Sequence, residues 1–328
     1  METLRLGSRG PSVQLLQLAL TRSGDAPGVL DGIFGLDTLR ALQSFQRRAG
    51  LAVDGIAGPR TWEALHPVLT GYIVHTLAPG DTFWSLARRY GTTVAAITAA
   101  NPRLEPSALP VGRQVTVPLG FPVVTAQIDY TSTLVSLILE GLNARYPFLT
   151  VFSLGSSTLG RPLYAVSMGQ GRRQVFYNAS HHANEWITTP VLLAFLEEYA
   201  QAYTQGGQVY GVSAAQLYRD VTLFLAPLVN PDGVDLVTGG IPAGSPAYNQ
   251  ALEMARRYPS IPFPSGWKAN LRGVDLNLNY PANWETAREI KYARALPPRA
   301  PGTLWDPLPF RSLRAGPSIP SPVPTPSA

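Results

Sequence analysis

Apolar residues in this chain first recur with a helical period, then mix helical and strand-like spacing, and finally lose any period. Over residues 1–68, Val13, Leu16 and Leu20 fall on one helical face, and Leu39, Leu42 and Phe45 on another. Thr61-Trp62-Glu63-Ala64-Leu65 predicts a third short helix. Between them lie two echoing segments, Asp31-Gly32-Ile33-Phe34-Gly35 and Asp54-Gly55-Ile56-Ala57-Gly58, each Asp-Gly marking a tight turn. The pattern predicts a small three-helix bundle whose glycines and aromatic residues serve turns and core.

Residues 72–119 follow a different plan. Tyr72-Ile73-Val74-His75 alternates like a strand, and Pro79-Gly80-Asp81-Thr82 supplies a turn with Asp81 as helix N-cap. Phe83, Leu86 and Tyr90 share a helical face that Gly91 can terminate. A second helix near Val94 to Ala100 and a closing strand at Val115-Thr116-Val117-Pro118 complete a β-α-α-β order. His75 lies in or beside the strand and His66 near the end of the first unit. Neither carries a catalytic expectation.

From residue 122 short apolar runs alternate with helical patterns. Leu134, Leu137, Leu139 and Leu142 predict an amphipathic helix. Val151-Phe152-Ser153-Leu154, Leu163-Tyr164-Ala165-Val166, Val175-Phe176-Tyr177 and Thr222-Leu223-Phe224-Leu225-Ala226 predict buried strands, and Pro190 opens a helix through Leu196. Such alternation predicts an α/β unit around a largely buried sheet, spanning 122–294. Residues 295–328 are rich in Pro and Ser without period, and they are expected to be disordered.

Composition narrows the chemistry. The 328 residues contain no cysteine, which excludes disulfides, thiol catalysis and Cys-based metal sites. The net charge of +5 is scattered, with no basic run interleaved with aromatics, so nucleic acid is not an expected partner. It suits a polyanionic surface or, more simply, solubility. No apolar run approaches the roughly 20 residues of a membrane span, and Met1-Glu2-Thr3-Leu4-Arg5 lacks the pattern of a signal peptide. The expectation is synthesis in the cytoplasm without an evident export signal.

Three loops at or near strand ends carry candidate chemistry. Ser180-His181-His182-Ala183-Asn184-Glu185-Trp186-Ile187-Thr188 holds two of the four histidines, and a His-x-x-Glu can place an imidazole and a carboxylate on one metal ion, usually zinc. Asn230-Pro231-Asp232-Gly233 reads as a turn. The third loop runs from Trp267 to Asn279. Ligands of open α/β sheets sit at strand ends, so convergence of the three is expected.

Three family resemblances rest on these residues. Gly7-Ser8-Arg9-Gly10, Leu15-Leu16-Gln17, the two Asp-Gly-Ile segments, Phe45-Gln46, Gly50-Leu51 and Pro59-Arg60-Thr61-Trp62 resemble, over 1–68, the three-helix peptidoglycan-binding domain of bacterial wall hydrolases. Tyr72-x-Val74, Pro79-Gly80-Asp81-Thr82, Trp84-x-Leu86-Ala87, Tyr90-Gly91-Thr92, Asn101-Pro102 and Val111-Gly112-x-x-Val115-x-Val117-Pro118 resemble, over 72–119, a LysM domain, whose members bind N-acetylglucosamine-containing glycans. His182 to Thr188, Asn230 to Gly233 and Gly273-Val274-Asp275-Leu276-Asn277-x-Asn279 resemble the zinc carboxypeptidase (funnelin) family.

The last resemblance implies a mixed sheet in the third unit, and roles for single residues. His182 and Glu185 match the first two zinc ligands, and Asn277 a substrate-binding Asn. Lys268 occupies the place of an Arg that polarises the scissile carbonyl, with Arg272 a competing candidate. Lys supplies charge there without a planar fork. His181 has no ligand role. Leu278 replaces the Arg with which exopeptidases hold a terminal carboxylate, which argues against ordinary C-terminal trimming. With two wall-binding modules ahead, the layout resembles the γ-D-glutamyl-L-diamino acid endopeptidases, which cut the peptidoglycan stem peptide between D-glutamate and diaminopimelate. In that mechanism zinc and a general-base Glu activate water.

A catalytic zinc takes three protein ligands. No histidine follows His182, and the only acid after Glu289 is Asp306. The expectation is therefore a catalytic unit cut short, inactive as written for want of a third ligand and a general base, with one Zn2+ served by two of its three protein ligands. Glycan strands are expected on residues 1–119 and the stem peptide at the zinc site, in a wall or sporulation setting. A non-catalytic peptidoglycan-binding protein is the alternative. Missing strands are expected to leave apolar surface exposed.

Overall fold

The computed structural model describes residues 1–278, 280, 283, 285, 286, 289 and 290. The expected disorder of 295–328 lies outside the described residues. Helices α1 (Pro11–Arg22), α2 (Leu36–Arg48) and α3 (Pro59–Thr70) form the first unit. Its two Asp-Gly-Ile echoes are one device used twice. Gln17, buried on α1, donates to Asp31 Oδ1 at 2.9 Å and to the Ile33 carbonyl, while its Oε1 accepts the Gly32 N–H. Gln46 on α2 does the same to Asp54, Ile56 and Gly55. A buried amide that fills its donor and acceptor capacity in a turn fixes that turn against the preceding helix. These hydrogen bonds hold Asp31 and Asp54 below the usual carboxylate range, Asp31 chiefly through Gln17 and Asp54 chiefly through the Ile56 N–H.

The second unit has the expected order: β1 (Tyr72–Thr76), α4 (Phe83–Tyr90), α5 (Val94–Ala100) and β2 (Gln114–Pro118). The two strands pair antiparallel, with Tyr72 opposite Pro118. The cap of α4 differs from expectation. Thr82, not Asp81, is the N-cap, in a reciprocal capping box with Ser85. Asp81 instead accepts the Ala78 N–H and sits 2.8 Å from His75 Nε2. His75 is thus a structural residue of the strand, bridged on its other nitrogen to the Tyr90 hydroxyl.

The third unit runs α6 (Ser132–Arg145), β3 (Thr150–Ser156), β4 (Pro162–Met168), β5 (Arg173–Asn178), α7 (Thr188–Gln205), a short hairpin of β6 (Gln208–Val209) and β7 (Val212–Ser213), α8 (Ala214–Asp220), β8 (Val221–Ala226), α9 (Pro231–Thr238) and α10 (Pro246–Ala255). The four-stranded sheet has the order β3-β4-β8-β5, with β5 and β8 parallel and the other pairs antiparallel. It is the expected mixed sheet.

Two expectations about burial fail, for related reasons. Helix α6 is not amphipathic. Leu134, Val135, Leu137, Ile138, Leu139, Gly141 and Leu142 are all buried, because α6 lies between the sheet and α3 of the first unit. At Gly141 a Cβ would collide with the Thr70 carbonyl, so only glycine permits that approach. Strand β5, predicted to be buried, is instead the edge of the described sheet, with Phe176 and Tyr177 each 51% exposed.

The first and third units share one core, while the second has its own around Phe83, Leu86 and Val117. Leu16, Leu20, Leu65 and Leu69 of the first unit belong to the same apolar cluster as Leu134, Ile138, Leu196 and Leu223 of the third. The stretch 119–124 between the second and third units is held by charged side chains from three helices. Arg22 of α1 donates to the Leu69 and Val123 carbonyls, and burial lowers its guanidinium to about 10. Arg145 of α6 donates to the Leu119 and Phe121 carbonyls. Glu197 of α7 accepts the Val123 and Val124 N–H groups and faces Arg145 at 3.5 Å. Buried charges persist when they are paired or hydrogen-bonded: Arg145 and Glu197 are both, and Arg22 is satisfied by backbone carbonyls.

Candidate functional site

The loop that follows β5 turns sharply at Ser180, a non-glycine residue in the left-handed region at φ 54. That conformation is held by a 2.7 Å contact of the Ser180 hydroxyl with Thr189 and by the Ser180 N–H donating to Thr188. The turn ends in a short 3-10 segment, Ala183–Glu185, which brings His182 and Glu185 onto one side.

Asn230-Pro231-Asp232-Gly233 is not a free turn. Asn230 caps α9, Pro231 is its first residue, and the side-chain oxygen accepts the Gly233 N–H. The Asn230 amide nitrogen donates across to the His181 and Ala269 carbonyls, stitching the three loops together. Ala183 N–H donates to the Lys268 carbonyl at 2.9 Å. Asp232 is spent on structure, accepting from Arg161, Ser157 and the Leu159 N–H. In the third loop Trp267 is fully buried, and Asn270 accepts the Arg272 and Val274 N–H groups. The expected convergence of the three loops is present.

At the centre, His182 Nδ1 lies 3.1 Å from Glu185 Oε1, and Nε2 lies 3.2 Å from Asp275 Oδ1. The Asp275 hydrogen bond raises the His182 imidazole above its ordinary value, outweighing burial, while burial chiefly lowers that of His181. With Nε2–H donating to the carboxylate, Nδ1 is the nitrogen presented beside Glu185. Lys268 Nζ stands 3.8 Å from Glu185 Oε1, and both side chains are 49% exposed, so the site opens to solvent. Arg272 and Asn277 are exposed on the same loop, Asn277 in a 3-10 turn whose N–H donates to Asp275. His181 points elsewhere, its Nε2 2.7 Å from the Tyr280 hydroxyl.

Two residues escaped sequence reasoning. Asp275 lies within a quoted motif, but no spacing rule ties it to a histidine 93 positions earlier. Asn184 Oδ1 is a buried acceptor with no hydrogen-bond partner among the described residues, which only the fold reveals. The side chain of Leu278 lies outside what the structure describes.

Two donors on one tetrahedral zinc, each at about 2.0–2.1 Å, stand about 3.3 Å apart. His182 Nδ1 and Glu185 Oε1 nearly have that separation, and Asp275 stands where a carboxylate orienting a metal-bound imidazole would stand. Among the described residues a third protein donor is lacking. Among the described residues no group of three His, Cys, Asp or Glu is arranged to hold a metal ion. The residues present fit two positions of a zinc shell, not a complete catalytic site.

Comparison with known proteins agrees with this order of units. The zinc carboxypeptidase family matches residues 136–297, the peptidoglycan binding domain family residues 9–65, and the LysM domain family residues 75–118. Gamma-D-glutamyl-L-diamino acid endopeptidase 1 of Lysinibacillus sphaericus is 42% identical over 163 residues, covering 50% of this chain and 40% of that protein. The protein YqgT of Bacillus subtilis (strain 168) is 38% identical over 148 residues, covering 44% and 39%. A spore cortex-lytic enzyme of Bacillus cereus is 41% identical over 64 residues, covering 20% and 25%. The chain therefore spans about two fifths of the first two relatives. No described helix is long and apolar enough to cross a membrane. The third unit of this chain belongs to the zinc carboxypeptidase family, and a peptidoglycan binding domain and a LysM domain precede it.

Proposed function

We propose that the chain anchors to peptidoglycan through residues 1–119 and presents the His182 loop to the stem peptide, at the bond between γ-D-glutamate and diaminopimelate. The observation that carries this reading is the His182–Glu185 pair backed by Asp275. His182 and Glu185 would be two donors to a zinc ion, which when bound supplies Lewis-acid polarisation. Asp275 orients the imidazole. Lys268, beside Glu185 at the open rim, supplies positive charge toward a substrate carbonyl oxygen, with Arg272 on the same loop as the competing candidate. Asn277, exposed at the mouth, offers hydrogen bonds to a peptide. The bond is suggested by the Lysinibacillus relative's name, and a wall or sporulation setting by that of the cortex-lytic enzyme.

A second reading is favoured by the donor count. With no third donor group among the described residues and no histidine after His182, the chain would act as a wall binder without turnover. One experiment separates the two. The full chain is incubated with zinc and a stem peptide containing γ-D-glutamyl-diaminopimelate, and products are read by mass spectrometry. Cleavage abolished by Glu185→Ala supports the peptidase. Sedimentation with purified wall in the absence of any cleavage supports the binder and sinks the peptidase.

A further inference from the structure

Among the described residues the four-stranded sheet has two edges, and they are built differently. Strand β3 is guarded. Its register with β4 shifts between Ser153 and Ser156, around Gly155, and a bulge of this kind turns an edge away from further pairing. Strand β5 has no such device. It pairs with β8 without a break from Arg173 to Asn178, and its sequence contains no Pro, Gly or Lys.

The surface beside β5 is apolar. A groove of about 650 Å³ runs from Tyr177 past Ile187, Val191 and Phe195 to Tyr210 on the β6–β7 hairpin, and no charged residue lines it. Ile187, Val191 and Tyr210 are 56%, 67% and 84% exposed. Net charge keeps copies of a protein apart, and this chain carries +5. The groove is a face on which a second copy meets none of that repulsion and finds apolar surface to bury.

Charge also sets the direction of pairing. The cations of this segment stand at its start, Arg172 and Arg173, and Gln174 to Asn178 carries none. Parallel pairing of two β5 strands would set each Arg173 beside its own copy, which is unfavourable. Antiparallel pairing about a two-fold axis at Val175 sets Arg173 opposite the partner's Tyr177, a cation facing an aromatic ring, and Gln174 opposite the partner's Phe176. An axis perpendicular to the sheet keeps each face on its own side. The two α7 helices then lie on one side, and the two grooves meet there.

We propose that the chain forms a closed dimer in which β5 pairs antiparallel with β5 of a second copy, centred on Val175, so that the two sheets become one. A two-fold contact uses the single unguarded edge of each copy and therefore stops at two. The partner's Arg172 comes opposite Asn178, the last strand residue before the turn into the His182 loop.

The test is sedimentation of the full chain over a wide range of concentration, expected to give a reversible monomer–dimer equilibrium and no larger species. Tyr177→Arg, a change at a half-exposed position, sets like charges opposite each other twice per dimer and is expected to weaken it about tenfold. Adding Arg173→Glu to the same chain is expected to restore the dimer, with thermal midpoints reporting that both variants are folded. The chain has no cysteine, so Val175→Cys is an independent probe, expected to crosslink across the axis on mild oxidation. A monomer at every concentration overturns the proposal, and slow amide exchange along β5 in such a monomer would give the edge to a segment of the same chain. Growth beyond two copies, a dimer indifferent to Tyr177→Arg, failure of the charge reversal to restore it, or no crosslink through Val175→Cys overturns it as well.

Discussion

His182 and Asp275, 93 residues apart in sequence, lie 3.2 Å from each other, and this pairing decides which imidazole nitrogen faces Glu185. Asp275 is buried and His182 nearly so, whereas Glu185 is half exposed. The orienting group is therefore more firmly held than one of the donors it serves. Replacing it should act on metal affinity more than on folding. Asp275→Asn is expected to weaken zinc binding about 10–100-fold, measured by competition with a chromophoric chelator, with a far smaller change in thermal midpoint. An unchanged affinity would remove His182 from the donor set.

Glu197 satisfies two backbone N–H groups and Arg145 at once. Glu197→Ala leaves a buried guanidinium without its counter-charge and is expected to cost about 3–5 kcal/mol, read from the urea midpoint of the full chain. Amide exchange at Val123 and Val124 should accelerate in the same variant. A loss below about 1 kcal/mol would show that the contact contributes little.

The repeated Gln–Asp turns predict an acid response of definite sign. Asp31 and Asp54 are depressed in the folded chain, so their contribution is complete above the unfolded carboxylate value near 3.9 and fades as pH falls through the lower folded values. The stability difference between the native chain and the Asp31→Asn/Asp54→Asn double variant should be greatest at pH 6 and shrink toward pH 2. A difference independent of pH would mean that the turns depend on shape and not on charge.

Among the described residues strand β5 is an edge of the sheet, beside exposed Phe176 and Tyr177. Such edges template association, and an inserted charge suppresses it. Phe176→Lys is expected to lower concentration-dependent light scattering while leaving stability within about 0.5 kcal/mol. Undiminished scattering would place the sticky surface elsewhere.

Local chemistry was readable from sequence where a residue acts on near neighbours. The Asp-Gly turns, the βααβ order of residues 72–119 and the His-x-x-Glu pair all have their partners within a few positions. Burial on the second side of an element was not readable. The leucines of α6 repeat as a half-exposed helix would, but the face assigned to solvent meets α3, which lies some seventy residues earlier. Val175-Phe176-Tyr177 has the composition of a central strand, yet neighbours in a sheet are set by topology. The Asp81 cap failed for a narrower reason. Two adjacent cap-forming residues competed, and His75 drew Asp81 into another hydrogen bond. Asp275 fell between motif and role, since its partner is known only once the loops have met.

The clamp on residues 119–124 has a consequence for how the molecule works on a polymer. A loose tether would raise the local concentration of a site around its anchor and let it sample bonds in any direction. Here Arg22, Arg145 and Glu197 remove that freedom, and the shared core fixes the remaining angles. On the wall reading proposed above, the molecule would be a gauge instead of a leash. An anchor seated on the strand would hold the His182 loop to one offset and one orientation, so that spacing would be written into the fold.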